Sequence, residues 1–195
     1  MPRVSQDHLD ARRWQILGGA RAAFARHGYE GATVRVLEEE IGLSRGAIFH
    51  HFADKAALFM ALAVEDAENM ADTVAAQGLV QVMRDLVAAP NAGWLGTQLE
   101  ISRRLRTDES FRAAWEIRSE AIRSATRARL SRQRDSGILR RDVDIDVLTD
   151  YLQLVLNGLV SHLASGQPTA ALTPVLDMIE ASVRIQPAHL CAFNA

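Results

Sequence analysis

The stretch Leu43–Phe59, LSRGAIFHHFADKAALF, contains two helix starts in close succession. Ser44 precedes RGAIFHH and Asp54 precedes a longer apolar-periodic run, and both residue types cap helix N-termini. Just upstream, Thr33 precedes VRVLEEEI and Gly42 follows it, which predicts a short helix ended by a glycine. Two short helices joined by a glycine-containing turn are typical of a helix-turn-helix.

The second short helix, predicted over residues 44–51, has two different faces. The residues predicted to pack inward are Leu43, Ile48 and Phe52, and those predicted to point away are Arg45, Gly46, Phe49 and His50. A glycine inside a helix costs about 1 kcal/mol relative to alanine, but it lets another molecule approach the backbone closely. An arginine there can donate two hydrogen bonds to guanine or hold a phosphate. We predict that this helix enters the DNA major groove; the alternative is an ordinary helical corner with solvated Arg and His.

Composition limits the class of protein. The chain has 195 residues, of which 48% are hydrophobic and 24% charged, so it can bury a sizeable core. A net charge of −2 argues against non-specific coating of DNA or of an anionic membrane. The apolar runs are shorter than the ~20 residues that cross a bilayer, and no signal peptide is recognisable, so we expect a cytoplasmic protein without a membrane partner. One cysteine, Cys191, argues against a disulfide framework, and no Cys/His cluster has zinc spacing.

Helical periodicity runs through nearly the whole chain, and no segment has the pattern of a strand. We therefore predict an all-α fold of about nine helices, with a three-helix head at the N-terminus and a helical domain after it. The predicted helices end at Gly28, Gly42 and residue 51, then run from Asp54 towards Gly78 and over residues 79–88, 94–106, 109–135, 145–164 and 170–184, with a frayed tail from Gln186.

Phe24–Phe59, FARHGYEGATVRVLEEEIGLSRGAIFHHFADKAALF, resembles the DNA-binding domain of the TetR family of bacterial repressors. The family signature runs F-x-x-x-G-[YF]-x-x-[TA]-[ST]-V-x-x-[IL]-[AE]-x-x-A-G-[VL]-S-x-G-x-[LI]-Y-x-[HY]-F-x-[DSN]-K-x-x-L. The resemblance implies a DNA-binding domain over residues 1–53 and an effector-binding and dimerisation domain over residues 54–195. It also implies a homodimer that reads an inverted repeat with two recognition helices about 34 Å apart, and a small molecule that releases the DNA.

Carried over residue by residue, the resemblance implies a DNA surface in three parts. Thr33 and Arg35 contact backbone phosphate, and His51 and Lys55, the only lysine in the chain, clamp phosphates at the next helix start. The recognition helix contributes Ser44, Arg45, Gly46, Phe49 and His50. Phe49 replaces the usual tyrosine, so the hydroxyl that reaches a phosphate is missing and apolar contact remains.

Residues 145–164, IDVLTDYLQLVLNGLVSHLA, are apolar on more than one face. The apolar positions are Leu148, Tyr151, Leu152, Leu154, Val155, Leu156, Leu159, Val160 and Leu163. A helix that is apolar this far round is buried on two sides, which predicts a homodimer formed through this helix and the last one. The alternative is a helix at the centre of the monomer's own core.

Charged residues on apolar stripes are the candidates for effector binding. Arg118 and Arg129 fall on the inward stripe of the helix predicted over residues 109–135, and Glu180 lies at the edge of the last helix's apolar face. Arg129 and Glu180 either form an internal salt bridge or bind a ligand, with Arg129 on a carboxylate and Glu180 on a hydroxyl or a divalent cation. Glu100 and Asn157 are weaker candidates. The residues expected to form only a solvated face are Arg103, Arg104 and Arg106.

Further segments resemble the branch of the TetR family that represses aconitase genes: GYEGATVR, SRGAIFHHF, LEISRRLRTD, RLSR and VLDMIEASVR. This resemblance implies an operator at an aconitase gene and a tricarboxylate effector such as citrate bound with Mg²⁺, for which Glu180 is the metal ligand. The alternative is a TetR-type repressor of another regulon that responds to an unrelated apolar ligand. The sequence has no glycine-rich phosphate loop and no nucleophile motif, so we do not expect an enzyme; a helical adaptor protein is a further alternative.

Overall fold

The computed structural model of the chain describes residues 6–116 and 120–185. In these residues all regular secondary structure is helical, apart from an isolated antiparallel bridge between Leu139 and Arg184. The all-α prediction is therefore confirmed. Arg118 and Cys191, both named from the sequence, and the tail from Gln186 lie outside the described residues.

The described residues form ten helical segments. They are α1 (Gln6–Gly31), α2 (Val34–Ile41), α3 (Arg45–His51), α4 (Lys55–Gln77), α5 (Leu79–Ala88), α6 (Ala92–Thr107), α7 (Glu109–Glu116), α8 (Glu120–Asp135), α9 (Ile145–Ala164) and α10 (Leu172–Val183). α7 and α8 lie on either side of residues 117–119 and together occupy the range that the sequence predicts as one helix.

The chain folds into two compact units. The first comprises residues 1–69 and 91–120, and the second comprises residues 70–90 and 121–195. The first unit thus combines the head with α6 and α7, whereas the functional division predicted from the sequence falls between residues 53 and 54. The predicted division concerns function, and it stays a prediction.

The core of the first unit is built on α1. Its buried stripe carries Ile16, Leu17, Ala20 and Phe24, as the helical periodicity predicts. At Gly28 the backbone takes a φ of 66°, a conformation that favours glycine, and α1 changes direction there before it ends at Gly31. The predicted helix stop at Gly28 is therefore a break within the element. The other fully enclosed apolar residues of this unit are Ala23, Ala32, Leu37, Ile48, Leu58, Phe59, Leu62 and Ala63.

The second unit has its own apolar core, to which α5, α9 and α10 contribute. The larger buried apolar residues are Val74, Leu79, Val82, Met83, Leu130, Leu139, Leu148, Leu152, Leu156, Leu159, Val160, Leu163, Leu176, Ile179 and Val183. Several residues of α9 lie in this core, yet other apolar residues on α9 and α10 stay exposed. Leu154 is 70% exposed and Met178 is 73% exposed in the single chain.

Within residues 6–116 and 120–185, no single helix combines the length and the apolar composition needed to cross a membrane. α3 and α4 meet those criteria only when taken together, and they are bent by 57° at the break between them.

Candidate DNA-binding surface and effector pocket

The helix-turn-helix is fixed by side-chain caps at both of its helices. Thr33 Oγ1 accepts a hydrogen bond from the Val36 N–H at 3.4 Å, and Ser44 Oγ accepts one from the Ala47 N–H at 3.4 Å. Gly42 adopts the left-handed conformation at φ 73°, where it ends α2. These three predicted caps are confirmed, and they fix where α3 starts relative to α2.

α3 exposes most of the residues predicted to meet DNA. Arg45, Gly46 and His50 are exposed, whereas Ile48 is fully buried under the helix. Apart from its own helix, no atom of the described residues lies within 4 Å of a Cβ placed on Gly46, so its backbone face is open. Phe49 differs from the prediction that it points away, because its side chain is half-buried and packs against the core of the first unit.

Glu38 ties α2 to the start of α3. Its Oε1 accepts a hydrogen bond from the backbone N–H of Arg45 at 2.6 Å. This N–H is one of the first N–H groups of α3, which have no partner inside the helix. The carboxylate therefore fixes the start of α3 and leaves the Arg45 side chain exposed.

The predicted phosphate contacts lie at the starts of α2 and α4. Arg35 is 87% exposed in its side chain and pairs with Glu39 one turn along α2, at 3.0 Å. Lys55 begins α4; its Nζ donates to the Tyr29 carbonyl oxygen at 2.9 Å and lies 4.4 Å from the centre of the Tyr29 ring. His51, the last residue of α3, is half-buried. The Arg35 side chain therefore lies mostly in solvent beside Glu39, whereas the Lys55 ammonium contacts Tyr29.

The second unit contains a cavity of about 240 Å³ that brings Arg129 and Glu180 together. Its other polar lining residues are Gln77, Gln81, Arg84, Thr126, Gln133 and Arg184, and its apolar ones include Leu79, Leu130, Leu139 and Leu152. Three arginines face one carboxylate in this lining, so the cavity carries an excess of positive charge. An anion is therefore the ligand that the lining favours.

Arg129 is held at the end of α4. Its Nη1 donates to the carbonyl oxygens of Ala75 and Ala76, at 3.0 and 2.8 Å. Its Nε is buried and has no hydrogen-bond partner among the described residues. Gly78, at φ 91°, permits this arrangement, because a Cβ at that position would lie 2.7 Å from Nε. A buried donor without a partner is costly, so Nε is a group that a bound anion can satisfy.

Glu180 is paired with two arginines. Its Oε2 accepts from Arg84 Nη2 at 2.8 Å, and its Oε1 accepts from Arg184 Nη2. The hydrogen bond from Arg84 is the largest cause of a Glu180 pKa below its usual range. Arg84 also pairs with Asp177 at 2.7 Å. The salt bridge between Arg129 and Glu180, one of the two sequence alternatives, is therefore absent from the described contacts, although the two side chains line the same cavity.

The described lining of the cavity offers a single carboxylate to a metal ion, so a metal would need further ligands from a bound molecule. No group of three or more His, Cys, Asp or Glu side chains in the described part of the chain lies close enough together to hold a metal. Glu180 is the only acid among the residues described as lining the cavity. Mg²⁺ keeps several waters and takes one or two protein carboxylates beside the oxygens of its substrate. Glu180 could therefore supply one ligand to a magnesium–carboxylate complex, provided that one of its oxygens leaves its arginine partner.

The two weaker effector candidates do not line this cavity. Glu100 is buried in the first unit, where it pairs with Arg103 at 2.6 Å. Asn157 is exposed on α9, and its Oδ1 accepts from Gln153 at 3.1 Å. The prediction that Arg104 lies on a solvated face is wrong, because the residue is only 7% exposed. Its position between aromatic residues depends on contacts that lie far apart in the chain.

Comparison with known proteins agrees with this geometry. Residues 16–62 match the family of bacterial regulatory proteins known as the tetR family. The HTH-type transcriptional repressor AcnR of Corynebacterium diphtheriae is 56% identical over 185 residues, which cover 94% of this chain and 97% of that protein. This chain belongs to the TetR family of transcriptional regulators. AcnR of Corynebacterium glutamicum is 54% identical over 173 residues, 88% of this chain and 92% of that protein.

Two solved structures share the fold over most of the chain. Salmonella enterica GusR matches with a TM-score of 0.76 at 20% identity and covers 93% of this chain and 98% of its own. Bacillus subtilis FadR, solved in complex with stearoyl-CoA, matches with a TM-score of 0.70 at 18% identity, over 87% and 98% of the two chains. The relatives confirm a TetR-type DNA-binding transcriptional repressor and not an enzyme.

Proposed function

We propose that this TetR-type repressor binds an inverted-repeat operator at an aconitase gene as a homodimer, and that citrate with Mg²⁺ releases it. The observation that carries the effector is the cationic cavity in which Arg129 Nε is buried without a partner. High identity to repressors named AcnR, together with the resemblance to aconitase repressors, supports the target gene. The proposed location is the cytoplasm, where both DNA and citrate are available.

The capped helix-turn-helix supports the proposed DNA contact. We expect the Arg45 guanidinium to read a guanine or hold a phosphate, and the bare Gly46 backbone to let the groove come close. Ser44 and His50 flank them on α3, and the exposed Arg35 side chain reaches a phosphate at α2. Two such heads in one dimer read two half-sites about 34 Å apart.

The charge of the cavity supports a tricarboxylate rather than an apolar ligand. Carboxylates pair best with guanidinium groups that donate two hydrogen bonds, and the cavity presents Arg84, Arg129 and Arg184. Arg129 offers Nε in addition to the Nη1 that it already uses on α4. Mg²⁺ between the ligand and Glu180 would offset the repulsion between that carboxylate and the trianion.

The exposed apolar residues of α9 and α10 support the homodimer. Val147 and Leu154 lie two turns apart on α9 and are 57% and 70% exposed, and Val175 and Met178 on α10 are 44% and 73% exposed. Such residues on adjoining helices of one unit are typical of an interface between copies. We therefore propose that α9 and α10 form the interface between the two copies.

The first experiment is fluorescence anisotropy on a labelled duplex from an aconitase promoter, at about 150 mM salt because affinity depends on salt. We expect nanomolar binding that weakens with citrate plus Mg²⁺, and less with either alone. Arg129→Ala should keep operator affinity and lose the effector response. Arg132→Ala, an exposed arginine on the same helix, is the matched control and should keep both.

Other outcomes separate the parts of the proposal. Operator binding that ignores citrate but responds to an apolar compound would favour a repressor of another regulon, an alternative to which the apolar lining residues of the cavity lend some support. Binding no tighter than to random duplex would leave the TetR-type repressor and reject the aconitase operator.

A further inference from the structure

Arg104 is a buried cation in the first unit that the proposed function has not used. Its guanidinium carbon lies 4.0 Å from the centre of the Tyr29 ring, 4.5 Å from that of Phe111 and 5.6 Å from that of Phe59. The three rings also contact one another: Tyr29 and Phe59 lie 5.4 Å apart, and Phe59 and Phe111 5.7 Å apart. Arg104 thus joins α6 to the end of α1, the start of α4 and α7.

The Arg104 guanidinium does not make all the hydrogen bonds that it can donate. Its Nη2 donates to Asp108, the residue before α7, but its Nη1 is buried and has no hydrogen-bond partner among the described residues. A buried charge with an unmade hydrogen bond stabilises a fold less than apolar side chains of the same volume. The ring contacts and the ion pair with Asp108 offset this cost only in part, so the arginine invites a second role besides stability.

Tyr29 connects Arg104 to the predicted DNA surface. Lys55 Nζ lies 4.4 Å from the centre of the same ring and donates to the Tyr29 carbonyl oxygen at 2.9 Å. Tyr29 directly follows Gly28, where α1 breaks at φ 66°, so regular helix does not fix its position. The Tyr29 ring also contacts other aromatic rings of the core. The two cations over the ring, together with the carbonyl contact, add to these contacts and link the position of Tyr29 to that of the Lys55 side chain.

We propose that Arg104 is a positioning residue for DNA binding: by packing on Tyr29 it holds the Lys55 ammonium at the start of α4 for a backbone phosphate. The proposal rests on the proposed DNA contact of Lys55. Arg104 itself touches no DNA. Without its guanidinium, Tyr29 moves away from its place after Gly28, and Lys55 loses the carbonyl that orients it.

The test uses the fact that Lys55 is the only lysine in the chain. The full-length protein is acylated with an amine-reactive ester, and the modified Lys55 peptide is measured by mass spectrometry over time, without DNA. Arg104→Met keeps an apolar stem of similar length and removes the cation. We expect Lys55 to react several-fold faster in Arg104→Met, because its ammonium is freed from Tyr29. Arg103→Gln is the matched control, since the side chain of Arg103 is 38% exposed and pairs with Glu30 and Glu100, and it should leave the rate unchanged.

The second readout is the dependence of operator affinity on salt. The slope of log K against log salt is negative, and each phosphate contact that is lost reduces its magnitude by about 0.9, so Lys55→Met should reduce the magnitude by about 1.8 in a dimer. Arg104→Met should reduce it by a similar amount, and the double variant should bind the operator no more weakly than Lys55→Met. A purely structural role would lower the melting temperature and leave the slope as in the wild type.

The outcomes separate this inference from the function on which it rests. An unchanged Lys55 acylation rate in folded Arg104→Met would overturn the positioning role. If Arg104→Met does not fold, Arg104→Lys keeps the charge without the planar face that stacks on Tyr29, and the same rate criterion applies to it. A third outcome is faster acylation of Lys55 in Arg104→Met together with a salt slope in Lys55→Met that equals the wild-type slope. It would support the link from Arg104 through Tyr29 to Lys55, but it would overturn the phosphate contact of Lys55 and with it the proposal.

Discussion

At the scale of single residues, the proposed effector cavity depends on two residues that are far apart in the sequence and adjacent in the fold, Gly78 and Arg129. Gly78 follows α4 with φ 91° and ψ 154°, a backbone conformation that is essentially confined to glycine. Arg129 fills the space where a side chain at residue 78 would lie. Gly78 is therefore needed both for the backbone conformation after α4 and for the space that Arg129 occupies.

Gly78→Ala tests this pairing. The added methyl would meet Arg129 Nε at 2.7 Å and would push the guanidinium off the Ala75 and Ala76 carbonyls. We expect a loss of stability of about 1–3 kcal/mol from the backbone and a lost citrate response in the anisotropy assay. Gly137→Ala, at φ 75° with nothing within 4 Å of the new methyl, is the control that should keep the response. An unaltered citrate response in Gly78→Ala would separate Arg129 from the effector.

Asp108 predicts a dependence of stability on acid. Its pKa lies well below the usual range, first because the Phe111 N–H donates to it, and then because of Ser110 and Arg104. Since the folded pKa is lowered, this contribution is complete above the unfolded pKa of about 4 and is lost as the pH falls towards the folded value. In denaturant titrations between neutral pH and pH 3, we expect Asp108→Asn to lose less stability on acidification than the wild type. Parallel curves would show that the carboxylate has no such role.

At the scale of elements, the head depends on close approach of α1 to α2. A Cβ on Gly19 would lie 2.7 Å from Ile41 Cα and 2.9 Å from the Glu40 carbonyl oxygen. Gly18, the preceding residue of α1, is exposed and has nothing within 4 Å. Of these two adjacent glycines, only Gly19 has to be small, because its missing side chain lets α2 lie close to α1.

The two glycines form a matched pair for mutation. Gly18→Ala should raise the free energy of unfolding by up to about 1 kcal/mol, because alanine favours an exposed helix interior. Gly19→Ala should lower it and weaken operator binding, because α2 is forced away from α1. Urea denaturation and anisotropy on the operator measure both effects. Equal stability changes in the two variants would show that the helices separate without cost.

At the scale of the whole molecule, the proposed homodimer rests on the exposed apolar residues of α9 and α10. One recognition helix covers one half-site, so the proposed operator affinity needs two chains. The monomer leaves Leu154 and Met178 mostly in solvent, whereas Leu152 and Leu156, on the other side of α9, are buried. This division between a buried and an exposed apolar face is what the proposed homodimer requires.

Leu154→Arg tests the dimer. We expect light scattering after size exclusion to show a monomer, circular dichroism to show an unchanged helix content, and operator affinity to fall by at least about tenfold, or 1.4 kcal/mol. Leu99→Arg, a 40% exposed leucine on α6, is the control that should stay dimeric and bind the operator. A dimeric Leu154→Arg protein with full affinity would place the interface elsewhere.

The sequence by itself determined the helical class, the caps at Thr33, Ser44 and Asp54, and the turn at Gly42. Each of these depends on residues within one or two turns: Asp54 Oδ1, for example, accepts from the Ala57 N–H at 2.7 Å. Such local signals lie next to one another in the chain, and the motif from Phe24 to Phe59 is short enough to contain all of them.

Only the tertiary structure decided the partners of the buried charges. Helical periodicity identified Arg129 and Glu180 as unusual, but it offered a salt bridge that is absent from the described contacts, since Glu180 pairs with Arg84 across 96 positions of sequence and Arg129 reaches the carbonyls at the end of α4. Helical periodicity also predicted that Arg104 is solvated, whereas the fold buries it. A side chain's partner at long range depends on how helices pack, which periodicity along one helix does not encode, because the period shows which face is buried and not what lies against it.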